Sequence, residues 1–216
     1  MTKKLVVFDM DGTLITGNTW EDFNAALGVT DEQDLSLYKA FQNNVITYKE
    51  WLDELQALYK LETNKHSKSQ VLEYLTQYEL VTGTVEAVQE LNKAGHDTLL
   101  LTGSFQMTAN AVAFELGINE ALATTRCRFD DEGYLSHLES AGNERQAKVT
   151  ILMTYCDEHD IDLADCVVVG DGGNMLGLFE LVENGVAFET STEEVRAAAK
   201  HTIQSLTELP DVLTKL

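Results

Sequence analysis

The sequence predicts an α/β fold: a parallel sheet flanked by helices, with a small helical insert after the first strand. Three observations predict it. Three runs, "LVVFD" at residues 5–9, "TLLLT" at 98–102 and "CVVVGD" at 166–171, are short, continuously apolar, and closed by a polar residue with glycine close behind. Such runs suit strands buried on both faces of a parallel sheet. A helical pattern follows each run. Between the first and second runs, from about Thr16 to about Leu80, apolar residues recur only at helical spacing.

The elements follow in chain order. "LVVFD" is the first strand, ending at Asp9, and Gly12 lets the chain turn. "TYKEWLDELQALY" opens with a capping box at Thr47 and Glu50, and Tyr48, Trp51, Leu52, Leu55, Leu58 and Tyr59 recur along one helix face. Val71, Leu72 and Leu75 mark a later helix of the insert. After Thr84, Val85, Val88 and Leu91 form an apolar face that Gly95 closes. "TLLLT" is the second strand; Phe105, Val112, Ala113 and Leu116 then give a helix ending at Gly117. "RCRFDDEGYLSH" reads as a hairpin turning at Asp131 to Gly133. Lys148 opens a helix with Ile151, Leu152 and Tyr155 inside. "CVVVGD" is the third strand, and Met175, Leu178, Phe179 and Val182 line the next helix. "GVAF" at Gly185 to Phe188 is a fourth strand, and "STEE" at Ser191 to Glu194 caps a late helix. The division is therefore residues 1–15 and 81–216 as the sheet core, with 16–80 as the insert.

Composition narrows the function. A net charge of −21 leaves no basic patch to neutralise phosphates, which argues against nucleic acid or an anionic membrane as partner. No apolar run reaches the roughly 20 residues that span a bilayer, and the N-terminus reads as a strand rather than a signal peptide. Cys127, Cys156 and Cys166 form neither a zinc pattern nor a disulfide framework and read as core thiols of a reducing cytoplasm. The histidines are scattered without ligand spacing, and Trp20 and Trp51 are either core of the insert or a lining for a ligand.

In open parallel sheets ligands bind at the carboxyl ends of the strands, so the polar residues closing the three runs should meet at one edge. A carboxylate such as Asp9 there can attack phosphorus and carry an aspartyl-phosphate. Asp11, two residues on, can give a proton to a leaving oxygen and later take one from water. Two carboxylates and a phosphate repel one another, which calls for a hard cation, Mg²⁺, with Asp171 as a further ligand. Thr102, Gly103 and Ser104 offer a hydroxyl and N–H groups for phosphate oxygens, and Lys148 offers a cation. Each has a plainer reading alone: D-x-D as a cap, Thr102 as a cap, Lys148 as a surface lysine, Asp171 as a turn. Their shared placement at one sheet edge favours the functional reading.

With these motifs the sequence resembles the haloacid dehalogenase-like hydrolases. "FDMDGTL", "LLLTGSF", Lys148 in "RQAKVTIL" and "VVVGDGGNM" look like that family's four motifs in order, across nearly the whole chain. The likeness is greatest to the phosphoserine phosphatase-like branch. It implies a Rossmann-like core with a helical cap. It implies Asp9 as nucleophile, Asp11 as general acid and base, and Mg²⁺ held by Asp9, the Asp11 carbonyl and Asp171, with Gly12 and Asn174 in support. The implied substrate is a small phosphorylated metabolite. Alternatives are phosphoserine itself, phosphoryl transfer to an alcohol, or a decayed phosphate- or metal-binding regulator. Three departures stand out. Met175 sits where the fourth motif usually has aspartate. Asn18 sits where phosphoserine enzymes carry a glutamate for the substrate amine. The segment "ITYKEWLDELQAL" lacks the arginine expected for the substrate carboxylate.

Overall fold

The computed structural model describes residues 3–216. The strands are β1 (Leu5–Phe8), β2 (Asp97–Phe105), β3 (Glu120–Phe129), β4 (Leu135–Ser140), β5 (Cys166–Gly170), β6 (Asn184–Phe188) and β7 (His201–Ile203). They form one sheet in the order β4-β3-β2-β1-β5-β6-β7. Every neighbouring pair is parallel except the β3–β4 hairpin.

Alternation along β1 shows why its run is apolar throughout. Val6 and Phe8 enter one core, with residues of α5 (Thr84–Ala94), α6 (Gln106–Leu116) and α10 (Leu209–Leu213). Leu5 and Val7 enter the other, with α7 (Glu144–Glu158), α8 (Leu176–Leu181) and α9 (Glu193–Ala198). A central strand covered on both faces has no polar side to show.

Four helices lie between β1 and α5: α1 (Thr19–Ala26), α2 (Asp31–Gln42), α3 (Tyr48–Tyr59) and α4 (Lys68–Leu75). The Thr47–Glu50 capping box opens α3. Phe23, Trp51, Leu55, Tyr59, Val71 and Leu75 form their own core, which also takes in Phe105, Leu135 and Leu138 from the sheet. The chain enters and leaves this insert side by side. Ile15 and Leu80 form an antiparallel bridge, Thr16 N–H donates to the Glu79 carbonyl (2.8 Å), and Val81 N–H donates to the Leu14 carbonyl (2.9 Å).

Several details differ from the sequence reading. β2 continues past Thr102 to Phe105 through a shift in its register with β3, so Gly103 and Ser104 lie in a strand bulge rather than at a helix start. α7 begins at Glu144, capped by Asn143, so Lys148 sits in its second turn on the buried face. Val85 and Leu72 point outward, at 39% and 45% exposure; Thr84, Ala87, Val88 and Leu91 make the buried face of α5. Thr192, not Ser191, caps α9. The first half of β3 and all of β7 carry no clear alternation in sequence, so no local pattern marks them as strands. Cys156 and Cys166 are buried free thiols with their sulfurs 3.5 Å apart, and Cys127 is half-buried.

From β1 the chain crosses to β2 on one side and later returns to β5 on the other. The sequential order therefore reverses at β1, and the crevice outside the ends of β1, β2 and β5 is where a ligand fits such a sheet.

Candidate active site

At the end of β1 the chain folds back on itself. The amides of Thr13, Leu14 and Ile15 all donate to the Met10 carbonyl, and Gly12 takes a left-handed φ of +75°. Asp9 is buried; its Oδ1 accepts from the Met10 amide and from Lys148 Nζ, both at 2.8 Å. Its Oδ2 accepts no hydrogen bond among the described residues. Asp11 turns toward the insert, where its Oδ1 accepts from the Thr19 amide (3.0 Å) and the Thr19 hydroxyl at the start of α1.

Asp171, one residue past β5, reaches over this loop. Its Oδ1 accepts from the Thr13 hydroxyl at 3.0 Å. A Cβ on residue 12 would lie 2.3 Å from Asp171 Oδ2, so Gly12 supplies both the turn and the space.

The β2 end contributes a compact turn. Thr102 is buried and its Oγ1 accepts from the Ser104 amide at 3.0 Å, while the buried Ser104 hydroxyl has no partner. Across from it, α7 delivers Lys148, whose side chain is fully buried. Lys148 Nζ donates to Asp9 Oδ1 and lies 3.1 Å from Glu144 Oε1 and 3.5 Å from Met175 Sδ. Asn174 Nδ2 donates to Glu144 Oε1 at 2.6 Å, and its own buried Oδ1 is unpartnered.

The electrostatics are those of a desolvated anionic site. Burial pushes the Asp9 carboxyl up to about 6; Lys148 pulls against this and the charge of Glu144 adds to it. Burial likewise raises Asp11, against its bonds from Thr19, and raises Asp171, against its bond from Thr13. Burial alone would lower Lys148, yet Asp9 and Glu144 outweigh it and hold the ammonium up. One buried ion pair does not repay the desolvation of so many charges, and a cation would.

The donors suit a hard divalent ion rather than a protein-made cage. Among the described residues no three His, Cys, Asp or Glu side chains converge as a metal cluster. The Asp9 and Asp171 carboxylates at this sheet edge are hard oxygen donors, the class that suits such an ion.

The structure thus joins Asp9, Lys148, Glu144 and Asn174 by direct contacts, and sets Thr102, Gly103 and Ser104 at the end of β2 and Asp171 just past β5, with Asp11 held against α1. Sequence reasoning missed Thr13, Thr19 and Glu144. Glu144 had a readable signal, its i,i+4 spacing from Lys148. Of the two tryptophans, Trp51 is buried in the insert core with its Nε1 unpartnered, and Trp20 lies partly exposed with its ring centroid 4.5 Å from that of Phe105. Asn18 caps α1, accepting from the Trp20 amide at 3.0 Å.

Residues 3–177 match the family model of the haloacid dehalogenase-like hydrolases. The chain is 27% identical over 186 residues to a phosphoserine phosphatase of Methanocaldococcus jannaschii, covering 86% of this chain and 85% of that protein. It is 28% identical over 214 residues to a phosphoserine phosphatase of Saccharomyces cerevisiae, covering 98% of this chain and 67% of that protein. A solved structure of a phospho-aspartyl intermediate analogue of phosphoserine phosphatase superposes with a TM-score of 0.78 at 25% identity, covering 100% of both chains.

Proposed function

The chain belongs to the haloacid dehalogenase-like hydrolases, and on that footing we propose how it works. It is a phosphatase that hydrolyses the monoester of a small phosphorylated metabolite, and Asp9 is its nucleophile. The observation that carries this reading is the buried Asp9 carboxylate at the sheet's reversal, with Oδ1 fixed by Met10 and Lys148 and Oδ2 left free.

Asp9 Oδ2 attacks phosphorus, and the bond from phosphorus to the ester oxygen breaks. Asp11 gives its proton to the departing alcohol oxygen. Asp11, now ionised, takes a proton from water; the water oxygen attacks phosphorus, the Asp9–phosphorus bond breaks, and inorganic phosphate leaves. Thr102, the Gly103 amide and Ser104 bind the equatorial oxygens, and the unpartnered Ser104 hydroxyl supports that role. Lys148 neutralises charge as it builds. Asp9, the Asp11 carbonyl and Asp171 would hold Mg²⁺, which when bound draws charge from the phosphoryl oxygens.

The relatives' names point toward phosphoserine, but the insert lacks charged partners for its amine and carboxylate at the two places where they are expected. Asn18 is spent capping α1. What the insert offers is aromatic. The Tyr48 hydroxyl pairs with Ser140 Oγ at 2.8 Å and is pushed up by burial, with the Ser140 bond opposing and the charge of Glu144 adding; Tyr38, half exposed, is pushed up by burial, with Glu144 and Glu21 adding.

Phosphate release from phosphoserine, sugar phosphates, nucleotides and glycerol phosphates, with and without Mg²⁺, tests the proposal. Mg²⁺-dependent turnover that disappears in Asp9→Asn is expected. Turnover that survives in Asp9→Asn would remove Asp9 from its role, and a folded wild type inert on every ester would sink the phosphatase reading.

A further inference from the structure

Lys148 has three close neighbours: Asp9 Oδ1 at 2.8 Å, Glu144 Oε1 at 3.1 Å and Met175 Sδ at 3.5 Å. The fourth motif usually brings a carboxylate at position 175. Here that place holds a fully buried thioether, which can touch an ammonium but not neutralise it. We propose that Glu144 supplies, from the lysine's own helix, the carboxylate that position 175 lacks, and that it is a positioning residue aiming Lys148 at the phosphoryl group. The proposal rests on the reading of Asp9 as nucleophile.

The geometry of Glu144 is specific. It stands in the first turn of α7, four residues before Lys148, so the helix itself sets the two side chains together. The helix N-terminus favours a negative charge there. Asn174 fixes the carboxylate from the other side by donating to the same Oε1. Beneath it lies Gly103, where a Cβ would fall 1.8 Å from Glu144 Cδ, so only glycine at 103 lets the side chain lie across the β2 end. Lys148 Nζ donates to Asp9 Oδ1 and to Met175 Sδ and pairs with Glu144 Oε1, so three neighbours together fix the ammonium. A lone Asp9 contact would leave the group free to rotate.

One competing role fits the same contacts. A carboxylate touching Lys148 and Asn174 over Gly103 could occupy the seat of the phosphoryl group and have to leave before substrate binds. The two roles separate in kinetics. If Glu144 positions Lys148, Glu144→Gln lowers kcat roughly tenfold with KM nearly unchanged, as expected for losing one charged hydrogen bond in the transition state. Met175→Asp placed in the Glu144→Ala background then restores most of the lost kcat. If Glu144 blocks the seat, Glu144→Ala keeps kcat and lowers KM, and the proposal is overturned.

Where Met175→Asp does not fold, Glu144→Asp decides, because it keeps the charge. It should exceed Glu144→Gln in kcat, and the reverse order overturns the proposal. Melting of the substrate-free variants reads the pairing without any turnover. Glu144→Ala should lower Tm and the added Met175→Asp should recover part of it; independent, additive losses would overturn the proposal. A wild type that releases no phosphate would defeat the phosphatase reading alone and leave the melting result to judge the pairing.

Discussion

Thr19 donates both its backbone N–H and its hydroxyl to Asp11 Oδ1, so the first residue of the insert's first helix holds the second aspartate of the site. Thr19→Val removes only the hydroxyl. A hydrogen bond to a charged group contributes about 1.5–3 kcal/mol. The expected result is a fall in kcat of about tenfold or more, with the fold intact. Steady-state kinetics on the best ester checks it, and an unchanged kcat would remove the insert from any part in aiming Asp11.

The Lys148–Asp9 pair has side-chain exposures of 0% and 3%. Lys148→Met leaves a buried carboxylate without its cation, which costs about 3–5 kcal/mol. Urea denaturation should show that loss, together with abolished turnover. A variant as stable as the wild type would mean that water or metal already compensates Asp9.

Gly12→Ala combines an unfavourable φ with a Cβ only 2.3 Å from Asp171 Oδ2. Asp171 must move. The Mg²⁺ concentration for half-maximal rate should rise roughly 10- to 100-fold, the usual consequence of disturbing a ligand's surroundings. A Mg²⁺ titration of activity reads it, and a merely lower rate at unchanged Mg²⁺ requirement would argue that Asp171 is not a ligand.

Tyr59 donates its hydroxyl to Asn24 Oδ1 at 2.6 Å inside the insert core. Tyr59→Phe leaves that oxygen unpaired, at a cost of about 1–3 kcal/mol. Thermal melting should show the loss while kcat stays put. No loss would show that Asn24 finds another partner.

His96 is buried and its Nδ1 accepts from the Lys4 amide at 3.1 Å, which requires that nitrogen unprotonated. Burial lowers its pKa below the ordinary 6.5, with Lys4 adding to this and Asp97 opposing it. The unfolded chain then binds the proton more readily. Stability is full above about 6.5 and declines as pH falls below it, toward the folded pKa. His96→Gln should flatten the fall in Tm between neutral and mildly acidic pH, and an unaltered slope would show that other groups set it.

The strands that position the site were legible because β1, β2 and β5 are buried on both faces and so carry unbroken apolar runs. Asp9 and Asp171 were legible as the residues where those runs stop. The rest depended on information outside any local pattern. α2 buries no residue completely; only Leu37 and Phe41 pack, partly buried, against the insert core, so its apolar face is short. The extension of β2 to Phe105 comes from a register shift against β3 that is a property of the pair. Thr19 and Glu144 look like ordinary first-turn helix residues until the fold sets them against Asp11 and Lys148.

The insert hangs from the sheet by two strands of chain joined at the Ile15–Leu80 bridge. Its doorway is as narrow as a hairpin. Whatever is threaded through it need not reroute the strands, because closing a longer or shorter loop between adjacent ends changes the chain entropy only slowly. The insert is in that sense a cassette, exchangeable for another helical module that offers Phe105 an apolar face and Asp11 a donor.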